Sequence, residues 1–202
     1  MTMAQNTTRT SQRSRPAVGP LWQPLEVDQY RLVLEQIPPL WRALADHLVL
    51  SGARLGEVAA LADTDIDPET GACRIERAWH RLADRWELVP LRSPRALYLP
   101  RNHLGQLDLR DSGEELFVID GSCGPGLIIR FAGRIWRPAV AAVAERLGGQ
   151  RPGVGVLRAT CGVWMARAGV PLPVIAAHLG YSSVRAFVAV NPHVLVAADR
   201  AE

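Results

Sequence analysis

The chain has 202 residues and a mass of 22.1 kDa, enough for one well-buried domain or two small ones, and 48% apolar with 21% charged residues excludes wholesale disorder. No run approaches the roughly 18 uninterrupted apolar residues of a membrane-spanning helix, so none is expected to cross a bilayer. The net charge is +3, every one of the 23 basic residues is arginine, and Arg9, Arg13 and Arg15 in the acid-free first 20 residues leave 20 arginines to balance 20 acids, so bulk charge alone does not argue for nucleic acid.

Residues 1–20 are rich in Ser, Thr and Arg and lack the apolar stretch of a secretory signal. They are expected to form a disordered basic arm; an organellar transit peptide is the alternative. From residue 21 one domain is predicted. EVDQYRLVLEQI reads as an amphipathic helix ended by Pro38 and Pro39, which cannot continue the hydrogen-bond ladder. LWRALADHLVL is apolar nearly all round and reads as a buried helix, punctuated by Gly52. RLGEVAALAD starts a third, and DTDIDPETG is turn chemistry.

The period then changes. CRIERAWH, DRWELV and RALYL read as three short strands of an antiparallel meander. A loop around GSCGPG precedes an amphipathic helix near residues 128–147, and the segments LRATCGVWMARAG, LPVIAAHLG and SSVRAFVAV read as three further helices. The predicted fold is α+β and mostly helical, with a small three-stranded antiparallel sheet.

Charge is unevenly placed. Nine acids lie between Glu26 and Glu69 against three arginines, whereas seven arginines lie between Arg130 and Arg167 against Glu145 alone. Such asymmetry suggests a basic, phosphate-facing surface, or else arginine stems coating helices. Cys73, Cys123 and Cys161 are widely spaced with no CxxC pair, and read as buried reduced thiols of a cytoplasmic protein. The five histidines show no metal-binding spacing, GSCGPG lacks the register of a phosphate loop, and no metal or cofactor is expected.

The informative stretch is LVLSGARLGEVAALADTDID at 48–67. Ser51, Gly52, Arg54, Glu57, Leu61, Asp65, Ile66 and Asp67 keep the spacing of the first conserved box of the tyrosine recombinases, or phage-type integrases, which this stretch resembles. About a hundred residues on, Leu157, Arg158, Thr160, Gly169, Val170, Ile175, Leu179, Gly180, Ser182 and His193 fall into step with that family's second half. The resemblance covers roughly residues 21–195 and implies the family's catalytic domain, without a counterpart of its separate N-terminal DNA-clamping domain.

By that resemblance Arg54 and Arg158 would bind a DNA phosphate, with Tyr181 as a hydroxyl donor where the family has His or Trp. A planar guanidinium suits that task because charge builds on the phosphate oxygens in the transition state. Arg54 is also placed to pair with Glu57 one turn away. The family's nucleophilic tyrosine falls at Asn191, before Pro192. Its first box-two histidine falls at Gly155 and the second at Ala159. Its general-acid lysine falls at Leu91 or Arg92, and the chain has no lysine. An amide is no usable oxygen nucleophile, and arginine's pKa above about 12 keeps it from giving up a proton.

The residues thus suggest a recombinase fold with a phosphate cradle but without cleavage chemistry. The expected partners are DNA and, further, an intact integrase or a second copy. Residual strand transfer through Tyr181 and a decayed remnant without activity are the alternatives. Arg54 and Arg158 are expected on one face within about a helix diameter, ~10 Å, with Tyr181 and Asn191 beside them.

Overall fold

The computed structural model describes residues 23–199; the arm predicted over residues 1–20 lies outside them. Helix α1 (Val27–Gln36) starts at Glu26, whose backbone N–H is held by the Gln29 side chain at 3.0 Å, and ends before the Pro38–Pro39 pair. Helix α2 (Pro39–Ser51) buries Trp41, Leu44, Leu48 and Val49, and closes at Gly52 in the left-handed region (φ 62°). A side chain at Gly52 would be doubly penalised: that φ strains an L-residue, and a Cβ would stand 2.4 Å from Leu179.

Helix α3 (Leu55–Val58) is a single turn followed by a 3₁₀ turn at Asp63–Asp65. Asp63 accepts hydrogen bonds from the Ser112 N–H and hydroxyl and the Gly113 N–H at 2.7–2.8 Å, tying the later loop to this turn. Those donors, the Ser112 backbone foremost, push its carboxyl down to about 2.

Strands β1 (Ala72–Leu82) and β2 (Arg85–Tyr98) form a two-stranded antiparallel hairpin rather than three strands. The segments DRWELV and RALYL are one continuous strand. Its register shifts opposite the Ile75–Arg77 step, where Arg95 pairs with Ile75 but Pro90 with Arg77. Leu91–Pro94 therefore bulge out unpaired, and Ser93–Pro94 lie within that bulge rather than between two separate strands.

After the short helix α4 (Arg101–Leu104) a loop leads to α5 (Gly124–Arg130), a widened π-helical stretch (Phe131–Trp136) and α6 (Arg137–Ala142). Pro138 cannot donate to the ladder, which accounts for the widened turn before it. The predicted helix at 128–147 thus starts four residues earlier and ends in a 3₁₀ turn at Ala144–Leu147.

Helices α7 (Val156–Arg167), α8 (Leu172–His178) and α9 (Val184–Val190) stand where the pattern placed them, and α10 (His193–Ala198) was not anticipated. Among the described residues no helix is long and apolar enough to cross a membrane.

Two hydrophobic clusters share α7. Its Val156 and Leu157 join a large core with Trp41, Phe131, Trp136 and Leu97, while Cys161, Val163 and Ala166 join a smaller one with Ile175, Leu179, Phe187 and Val194. Each fully buried large side chain contributes roughly 1.5–3 kcal/mol. Thr160, fully buried, accepts the Leu25 N–H at 2.9 Å, and Trp164 donates to the Leu25 carbonyl at 3.0 Å, docking the start of the described chain on α7. Cys73, Cys123 and Cys161 are free; Cys73 and Cys161 are buried, with thiols pushed up to about 12 by burial, whereas Cys123 is half-buried. Tyr30 is buried and donates to Asp46 at 2.6 Å, whereas Tyr98, on the outward face of β2, is 68% exposed.

A buried histidine pair gives this fold a pH dependence. His47 on α2 and His103 on α4 face each other, Nδ1 to Nε2, at 3.2 Å beside the Phe117 ring. Burial, then the neighbouring His103, pushes His47 down to about 3; burial also lowers His103, although the Asp46 charge opposes it. Both folded values lie below the unfolded one, so the stabilisation is complete above about pH 6.5 and is lost as pH falls toward 3. Urea unfolding at successive pH values should show wild-type stability falling faster than that of His47→Phe/His103→Leu by up to ~1.4 kcal/mol per pH unit per histidine. Parallel pH profiles would show that the pair titrates as it does unfolded.

Candidate functional site

The seam between the two clusters is polar. Here the C-terminal ends of α2 and α8 meet, and arginines from three different elements reach their carbonyls or the buried Glu57. Arg158 projects from the first turn of α7, donating from Nη1 to the Gly52 carbonyl at 2.7 Å and from Nη2 to the Leu179 carbonyl. Its guanidinium lies 5.1 Å from the centre of the Tyr181 ring. Burial, and then the nearby Arg54 charge, pushes its pKa below the usual arginine value, while Tyr181 and Glu57 oppose the shift. The two arginines, a hundred residues apart in sequence, therefore sense each other's charge.

Arg54 precedes α3 and is 56% exposed. Its Nη1 pairs with Glu57 Oε1 at 2.9 Å and its backbone N–H with Oε2 at 2.8 Å, the local pairing expected from the spacing. Glu57 is 1% exposed. Burial raises its carboxyl, but hydrogen bonds and charge from Arg95, then Arg54, outweigh that and hold it below the ordinary range.

Arg95 and His178 are site residues that sequence reasoning missed. Arg95, on β2, grips Glu57 through Nη1 (3.2 Å) and Nη2 (2.7 Å), and donates from Nε to the His178 carbonyl at 2.9 Å. The His178 Nε2 in turn donates to the Ser51 carbonyl at 2.9 Å, and burial foremost lowers its pKa. The signal for Arg95 was its parity: it shares the inward face of β2 with Leu97 and continues to Leu99, both buried. A charged residue on that face needs a partner, and the one acid beside the Arg54 motif was available.

Tyr181 and Asn191 border the same place. Both are half-buried, and Asn191 Nδ2 donates to the Tyr181 hydroxyl at 3.1 Å and to the Phe187 carbonyl at 3.0 Å. Gly155 caps α7 at its exposed N-terminal end, where a Cβ would meet nothing within 4 Å, so a larger side chain has room. Leu91 lines a cavity of about 190 Å³ with Arg54, Ala78, Trp79 and His80, whereas Arg92 is exposed on the bulge. The structure thus brings Arg54, Arg158, Tyr181 and Asn191 together and leaves Leu91 beside Arg54. Among the described residues no three or more His, Cys, Asp or Glu side chains gather as a metal site.

With Arg54, Arg95 and Arg158 against Glu57, the cluster carries a net double positive charge beside half-exposed guanidinium donors. Such an arrangement suits a phosphate or another oxyanion.

No protein-family model matches the sequence, and no curated protein matches it. Solved structures do. The Tn1549 transposon integrase in complex with transposon right end DNA superposes with a TM-score of 0.65 at 17% identity, over 89% of this chain and 64% of that one. The XerA recombinase gives 0.61 at 19% identity, over 89% and 61% respectively. The catalytic domain of bacteriophage HP1 integrase gives 0.52 at 14% identity, over 84% and 86%. The chain therefore has the fold of a tyrosine recombinase catalytic domain. It spans under two thirds of the Tn1549 integrase and XerA chains it resembles.

Proposed function

We propose that this protein binds DNA through a phosphate held by Arg54, Arg158 and Tyr181, without cutting the strand. The observation that carries the reading is the convergence of Arg54 and Arg158 beside Tyr181; at the position to which the resemblance assigns the nucleophile the chain has Asn191, whose amide donates to the Tyr181 hydroxyl. Two similar structures, the Tn1549 transposon integrase in complex with transposon right end DNA and the XerH recombinase bound to difH substrate, support the choice of ligand. A domain that occupies a recombination site without cleaving it would modulate an intact recombinase, either on shared DNA or by pairing with it.

The lost groups act at different steps. Without a tyrosine at Asn191 no phosphotyrosyl bond forms by the family's route, and without lysine the departing oxygen lacks that proton donor. General-acid catalysis alone is worth ~10²–10⁴-fold. A second reading, strand transfer by Tyr181, is favoured by one observation: its hydroxyl accepts the Asn191 hydrogen bond and its ring lies 5.1 Å from the Arg158 guanidinium, beside the proposed phosphate site. A remnant with no retained activity is the third.

One experiment separates them. On labelled duplex DNA, binding should weaken with salt along a log–log slope of about −0.9 per phosphate contacted. On a nicked suicide substrate, no covalent protein–DNA adduct should appear. An adduct abolished by Tyr181→Phe would establish the second reading, and no binding even at low salt would leave the third. Asn191→Tyr alone should still give no adduct, because Gly155 and the lysine position remain unrepaired.

A further inference from the structure

Glu57 is shared unequally between two arginines. Its Oε1 accepts from Arg54 Nη1 (2.9 Å) and Arg95 Nη1 (3.2 Å); its Oε2 accepts from the Arg54 backbone (2.8 Å) and Arg95 Nη2 (2.7 Å). Each oxygen therefore has two donors, which leaves the carboxylate little capacity for more. Arg95 supplies the two-pronged grip, and its third direction, Nε, is fixed on the His178 carbonyl at 2.9 Å. Its side chain is 9% exposed, and Gly180 (φ 70°) makes room for it, since a Cβ there would stand 3.1 Å from Arg95 Cδ. Arg54 makes a single side-chain bond to Glu57, and among the described residues its Nε and Nη2 have no hydrogen-bond partner.

We propose that Arg95 is a positioning residue that keeps Arg54 available to a phosphate. By filling one side of the Glu57 carboxylate it prevents Glu57 and Arg54 from closing into a one-to-one, two-pronged ion pair. Such a pair would neutralise Arg54 and turn its donors inward. Arg95 also cancels the Glu57 charge, so that Arg54 and Arg158 both count as net positive toward an incoming anion. The inference rests on reading Arg54 as a phosphate ligand, but its structural half is measurable without DNA.

The test uses the full chain. Phenylglyoxal, which reacts with accessible and unpaired guanidinium groups, is applied to wild type, Arg95→Met and Glu57→Gln/Arg95→Met, and Arg54 labelling is followed by peptide mass spectrometry. The same proteins are titrated with fluorescent duplex DNA. In Arg95→Met, Arg54 labelling should slow by about threefold and DNA affinity should fall about tenfold, the cost of one charge-assisted phosphate contact. Adding Glu57→Gln should restore both, which a merely structural role for Arg95 would not do. If Arg95→Met fails to fold, Arg95→Lys keeps the charge without the fork and should show the same changes at reduced size.

Unchanged or faster Arg54 labelling on loss of Arg95 overturns the proposal, whatever DNA does. It also falls if wild type binds DNA and Arg95→Met binds equally well. If labelling follows the expected pattern but no variant, wild type included, binds DNA at low salt, the positioning role stands and the phosphate reading fails.

Discussion

Glu57→Ala is expected to be the most destabilising single substitution at this site, costing about 3–5 kcal/mol. The carboxylate is 1% exposed and Arg95 only 9%, so removing Glu57 leaves a buried guanidinium with the His178 carbonyl as its one remaining partner among the described residues. Two ion-pair bonds at 2.7 and 3.2 Å are lost, and the charge they offset cannot be shed because arginine does not deprotonate. The Arg54 bond adds little to this sum, since Arg54 is 56% exposed and its pairing is screened by water. Against a typical domain stability of roughly 5–15 kcal/mol this should bring the urea midpoint down sharply. Replacing both partners, Glu57→Leu with Arg95→Met, should recover much of the loss because no unpaired charge remains. A Glu57→Ala cost below about 1 kcal/mol would mean that water reaches Arg95 and that the pair is not truly buried.

Arg158→Met should cost about 2–5 kcal/mol for a different reason. Its guanidinium closes the ends of two helices at once, accepting no bond itself but donating to the Gly52 carbonyl at 2.7 Å and to the Leu179 carbonyl. Methionine fills similar space and leaves both carbonyls unpaired, at ~1–3 kcal/mol each. Arg158→Lys should recover less than half, because an ammonium on a flexible stem cannot span two carbonyls in fixed directions. Calorimetry of the three proteins checks this, and equal melting temperatures for Arg158→Lys and wild type would refute it. The same double duty limits what Arg158 offers a ligand: two of its five donors are already committed, so Arg54 is the freer of the pair.

Much of the site was legible because it is written in short spacings. Arg54 to Glu57 is one helical turn, and the i,i+3 distance alone predicts their contact. Gly52 ends α2 in the left-handed conformation that the run into a glycine suggests. The three helices of the second half were readable from proline and glycine punctuation. Where the reading failed, the missing information was not local. DRWELV and RALYL look like separate strands because Ser93 and Pro94 interrupt them. Yet pairing on either side with a single β1 strand holds them as one, and the interruption is absorbed as a bulge. Tyr98 looks like a packing residue, but strand parity turns it outward, away from Leu97 and Leu99.

By itself, then, the sequence determined the helical body, the presence of a small antiparallel sheet, the pairing of Arg54 with Glu57, and the absence of a lysine and of a tyrosine at position 191. All of these depend on residue identity or on neighbours within a turn or two. Only the tertiary structure decided that Arg158 would reach back 106 positions to Gly52, that Arg95 would cross 38 to take Glu57, and that His178 would cross 127 to Ser51. Those contacts exist because α7 packs into both hydrophobic clusters and draws the ends of α2 and α8 together. The exposed carbonyls of those helix ends, and the one buried carboxylate between them, then required cationic donors from wherever in the chain an arginine could reach.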